Sequence, residues 1–79
     1  MTHDDIWFAI EQFAMNNKLS CSGLAKSGGL DPTTFNKSKR WSKAGQPRWP
    51  STQSLARVLA ATGSNFTEFV QLLPSEHKD

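Results

Sequence analysis

Glycine and proline cut this chain into short pieces, and that punctuation sets what it can become. They stand at Gly23, Gly28, Gly29, Pro32, Gly45, Pro47, Pro50, Gly63 and Pro74. Between them apolar residues recur at helical spacing, and no stretch alternates as a half-buried strand would. Ile6, Ile10, Phe13 and Ala14 form one face of a helix expected over 4–17. Trp7 lies on its flank, and Asp4 and Asp5 suit its positive N-terminal end. Phe8 and Met15 fall off that face. They read as ordinary exposed apolar residues, with a second contact surface as the alternative.

Ser20 reads as the N-cap of a second helix over 21–27, with Leu24 and Ala25 inward and Gly28-Gly29 ending it. Leu30 plugs the following turn. Asp31 then caps, and Pro32 opens, a third helix expected over 31–40 with Phe35 as its inward anchor. Gly45, Pro47 and Pro50 make 41–50 an irregular loop, bracketed by Trp41 and Trp49. These two tryptophans are expected as lids on a small core in preference to base-stacking residues. Ser51 caps a fourth helix over 52–62, with Leu55, Val58, Leu59 and Thr62 inward and Gly63 as its stop. A fifth begins at Ser64 or Asn65, carries Phe66, Phe69, Val70 and Leu73 inward, and ends at Pro74. The expectation is an all-α, compact five-helix bundle over 1–73, followed by a polar, mobile tail or linker at 74–79.

At 79 residues the chain is one small domain, so its core is limited. A single cysteine, Cys21, excludes an internal disulfide and fits a reducing compartment. The N-terminus is acidic where a secretory signal would be basic, and no stretch approaches the roughly 18 apolar residues of a membrane span. A cytoplasmic protein that does not engage a membrane is expected. Catalysis is not: no histidine neighbours a serine or cysteine in an ordered element, and no carboxylates are paired for acid–base work. His3 and His77 fall in the tails, and neither a metal nor another cofactor is expected.

Charge is unevenly placed. Residues 18–57 carry a net +7 and the two ends a net −5, giving the overall +2. A basic middle predicts one positive face, the footprint of a polyanionic partner, unless it is merely a solvated surface. Two short helices joined by a tight glycine turn make a helix-turn-helix. Ala25 is small where the helices would cross, and Gly29 permits the positive φ of the turn. Thr33, Thr34, Asn36, Lys37 and Arg40 would stand on the face of the third helix turned away from the body.

The span "LSCSGLAKSGGLDPTTFNKSKR" resembles the helix-turn-helix of the phage-repressor (Cro-like, lambda-repressor-like) family, and "WPSTQSLARVLAATGSNFTEFVQLL" resembles that family's fourth and fifth helices. The likeness covers roughly residues 5–73. It is also similar to the DNA-binding half of repressors with a C-terminal LexA-like self-cleaving serine–lysine domain, and the expectation is either such a repressor without that domain or a free-standing DNA-binding unit. Ser38 stands where the family has an apolar residue, and Trp41 is expected to take over its packing. The 41–50 loop is longer and more basic than the family norm.

The resemblance implies sequence-specific binding to double-stranded DNA by a transcriptional regulator, a homodimeric repressor on a two-fold operator. The third helix would lie in the major groove, with half-sites about 34 Å apart. Pro32, Thr33, Thr34, Asn36 and Lys37 would face bases, Lys37 on a guanine edge. Lys39, Arg40, Lys43 and Arg48 would meet phosphates, as would Ser20 and Cys21 at the second helix and Ser51 at the fourth. Neutralising about five phosphates implies a slope of log K on log[salt] near −4.5 per half-site. The competing reading is a protein-interaction module of antitoxin or adaptor type, whose basic face is incidental. A third is a nucleoid-type binder without sequence preference.

Overall fold

Thr2 and Asp5 exchange capping bonds, Asp5 N–H to Thr2 Oγ1 at 3.1 Å and Thr2 N–H to Asp5 Oδ2 at 3.0 Å. This capping box starts the first helix, α1 (His3–Asn16), one residue earlier than hydrophobic spacing suggests. The computed structural model describes residues 1–74, so the tail expected at 74–79 lies outside the described residues from 75 onward. α1 buries Ile6, Ile10, Phe13 and Ala14 as expected, and also Ala9 and Trp7, whose indole is inside and not on a flank. Phe8 and Met15 are exposed.

Ser20 accepts a bond from Gly23 N–H and begins α2 (Cys21–Ser27), which buries Leu24 and Ala25. Gly29 follows at φ +75, the left-handed turn that only glycine adopts without strain. The close approach of backbones falls at Gly28, where an added Cβ would lie 3.0 Å from Val58 Cγ1 and 3.2 Å from Val58 N.

The third helix expected over 31–40 does not form. Thr34 N–H bonds to Asp31 O, Asn36 N–H to Thr33 O, and Arg40 N–H to Lys37 O, all three-residue turns. Asn36 sits at ψ 153, extended backbone that interrupts the winding, and only Lys37–Lys39 make a short 3₁₀ turn. The cause is local competition. The Asp31 carboxylate accepts from both the N–H and the hydroxyl of Thr33, at 2.8 and 2.6 Å, and Thr34 Oγ1 donates back to Asp31 O at 2.6 Å. Thr, Asn and Ser side chains that bond the nearby backbone offer it an alternative to the helix. Phe35 is nonetheless fully buried, so the segment is anchored as expected but wound differently.

Ser51 caps α3 (Thr52–Ala61), which buries Leu55, Val58 and Leu59. Gly63 at φ +72 ends it. Asn65 and Glu68 form a second capping box at α4 (Phe66–Val70), shorter than the fifth helix expected. Of the four residues expected inward there, Phe69 is buried, meeting Phe13 edge to face at 5.9 Å, and Leu73 packs at the core edge. Phe66 and Val70 face out, since they share a helical stripe that Phe69 does not.

The fold is therefore all-α with four helices among the described residues, not five. α1 packs on α2 and α4, and α3 packs on the same two, closing a ring around one core. None of these helices is long and apolar enough to cross a membrane.

Candidate nucleic-acid interface

The segment between α2 and α3 carries almost all the residues expected at DNA, and it is ordered by α1. Trp7 Nε1 donates to the Arg48 carbonyl at 3.0 Å, and Trp7 packs edge to face on Phe35. His3, expected in a tail, is the second tie. Its Nε2 lies 2.8 Å from the Arg40 carbonyl and 3.0 Å from the Arg48 carbonyl. Carbonyls only accept, so Nε2 carries the proton and Trp7 Nε1, 3.2 Å away, shares the Arg48 oxygen with it. These bonds clamp the two ends of the 40–48 loop to the first helix turn.

The loop itself is a small hairpin, not an irregular crossing. Arg48 N–H bonds to Arg40 O and Ser42 N–H to Gln46 O, both at 2.8 Å, and Trp41 and Pro47 form an antiparallel bridge. Gly45 turns it at φ +83. Trp41 leans on the His3 ring with centroids 4.6 Å apart, and Trp49 meets it edge-on at 6.1 Å. Both indoles are half-exposed, at 50% and 51%, so they line the surface and do not close the core. Trp41 thus does not replace an apolar residue at Ser38, which is itself exposed.

Arg40 is spent on the interior. Its Nη1 donates to Glu11 Oε2 at 2.8 Å, its Nη2 to Phe35 O at 3.2 Å, and its guanidinium lies 4.8 Å from the centre of the Trp7 ring. Glu11, which no sequence signal singled out, is its counter-ion.

Two shallow clefts divide the remaining residues. Thr34, Lys39, Arg48 and Ser51 border one of about 240 Å³, together with Trp49 and Ser54. Lys37 borders the other, of about 280 Å³, beside Asp4, Glu11 and Arg40. Pro32, Thr33 and Asn36 stand exposed on the turns, and Lys43 on the hairpin. Lys39 Nζ reaches back to Thr33 Oγ1 at 3.1 Å, and hydrogen bonds from Thr33 hold the Asp31 carboxyl below its ordinary value. Ser20 and Cys21 lie apart at the start of α2, where the Ser20 hydroxyl serves Gly23 and Cys21 packs against the core. Burial pushes the Cys21 thiol up, with Arg40 and Lys37 opposing and Glu11 adding to the shift.

Comparison with protein-family models, with curated proteins and with solved structures found no match.

Proposed function

We propose that the protein binds double-stranded DNA as a transcriptional regulator of phage-repressor type, a dimeric repressor on a two-fold operator. The turns of 31–39 and the 41–50 hairpin, in place of a recognition helix, meet the duplex. The observation that carries this reading is the cleft bordered by Thr34, Lys39, Arg48 and Ser51, which no acidic residue lines. It lies in a stretch, 32–67, without a single Asp or Glu. Lys39, Lys43 and Arg48 would hold phosphates, while Thr33, Asn36 and Lys37 at the exposed turn would reach base edges. Arg40 is left out of the contact set because its side chain is mostly buried and its Nη1 and Nη2 already serve Glu11 and Phe35.

The competing protein-interaction reading draws on a different surface: Phe66 and Val70, one turn apart on α4, are both exposed. Selection from a randomised duplex library at two salt concentrations separates the two. An enriched motif that changes at one position in Lys37→Ala, and is only weakened in Lys39→Ala, supports sequence-specific DNA binding. No enrichment at either salt overturns it in favour of a protein partner.

A further inference from the structure

The two half-exposed tryptophans stand in different electrostatic settings. Trp41 borders the cleft that also holds Asp4 and Glu11, surroundings that repel a phosphate. Trp49 borders the cleft with Lys39, Arg48, Thr34 and Ser51, where every charged group is a cation. Nothing among the described residues pairs with the Arg48 guanidinium, since its hydrogen bonds are made by its backbone, the carbonyl to His3 and Trp7 and the N–H to the Arg40 carbonyl. Pro50 disfavours helical backbone at Trp49, so the indole cannot be wound back into α3. The Trp7–Arg48 bond and the His3 ring fix the base of the same strand.

An open aromatic ring beside two cations matches the repeating unit of a nucleic-acid strand, one π-face and one phosphate. Paired bases inside a duplex keep their faces stacked on each other, so such a ring has most to gain from an unpaired nucleotide. We propose that the Trp49 cleft is a nucleotide-stacking subsite that takes one unpaired nucleotide of DNA, its base on the Trp49 indole and its phosphate on Lys39 and Arg48. It gives the protein an affinity for single strands beside duplex binding. The inference rests on the nucleic-acid reading of this face but not on its preference for duplex.

The test is titration of the full chain with a short oligothymidylate, read by tryptophan fluorescence in a Trp41→Phe background, and in parallel with duplex DNA by gel shift. Stacking on Trp49 quenches its emission, Trp49→Leu abolishes that quenching, and the substitution weakens single-strand binding about tenfold or more. Lys39→Ala and Arg48→Ala weaken it and each flatten its salt slope by about 0.7, because they remove phosphate contacts. Far-ultraviolet circular dichroism verifies that each variant keeps its helices. Single-strand binding that persists unchanged in Trp49→Leu, or quenching that disappears instead when only Trp41 is replaced, overturns the proposal. Duplex binding without any oligothymidylate binding overturns it while leaving the duplex reading intact. Oligothymidylate binding without duplex binding supports it and removes the duplex reading.

Discussion

Arg40 shows how one side chain can leave an electrostatic surface and join the packing. Its guanidinium bridges Glu11 on α1, the Phe35 carbonyl and the face of Trp7, and its side chain is only 12% exposed. Charge-assisted hydrogen bonds of this kind contribute about 1.5–3 kcal/mol when their partners are held in place. Arg40→Ala is therefore expected to lower unfolding free energy by about 2 kcal/mol, measured by urea titration. Glu11→Ala should cost less, since Glu11 is more exposed, and a double-mutant cycle should return a clear coupling between them. Cys21 gives a second expectation at this scale. Burial raises its thiol above the ordinary 9.0, so the folded state favours the protonated form. That contribution is complete below 9.0 and is lost as pH rises through the higher folded value. Cys21→Ala should remove this alkaline loss from a melting-temperature profile, and the native thiol should alkylate more slowly than after unfolding.

Among the elements, a close approach joins the end of α2 to α3. A methyl group on Gly28 would meet Val58 Cγ1 at 3.0 Å and the Arg57 carbonyl carbon at 3.2 Å, and backbone cannot yield as a flexible side chain can. Gly28→Ala should destabilise by about 1–3 kcal/mol through overpacking. Gly63→Ala is the control: nothing lies within 4 Å, and only its φ of +72 is strained, at about 1–2 kcal/mol. A chemical-denaturation series that ranks the two the other way refutes the close approach as the dominant cost. The stop at Gly63 and the core faces of α1, α2 and α3 were legible because periodicity and capping are local signals. The segment 31–40 was not. Asp31-Pro32 opens a helix in sequence terms, yet the same carboxylate and the hydroxyls of Thr33 and Thr34 also close a turn, and no periodicity decides between them. The sites of His3 and Glu11 depend on partners about 29 to 45 residues away, so the candidate surface was readable as a basic stretch but not as an arrangement.

At the scale of the molecule, the fold sorts charge in a way net charge conceals. The residues of 18–57 total +7, but α1 draws part of that inward by pairing Glu11 with Arg40 and by setting Asp4 and Glu11 around the cleft that Lys37 borders. Lys39 and Arg48 border a cleft that no acidic residue lines, with Asp31 beyond its rim near Lys39, and Lys43 stands on the exposed hairpin. If phosphate contact falls to the cleft and the hairpin, three cations count toward ion release (Lys39, Lys43 and Arg48), and neither the base-facing Lys37 nor the internal Arg40 does. The slope of log K on log[salt] should then be about −2.7 per protomer, in place of the −4.5 or so that five phosphates would give. The substitutions sharpen the distinction. Lys39→Ala and Arg48→Ala should each flatten the slope by about 0.9 and leave the unfolding midpoint nearly unchanged. Arg40→Ala should lower the midpoint while leaving the slope of the folded fraction where it was. Fluorescence anisotropy on one duplex across a salt series, at a temperature where Arg40→Ala remains folded, reads both quantities. A slope that flattens on loss of Arg40, with the midpoint unmoved, would return that residue to the DNA and refute its role as an internal strut.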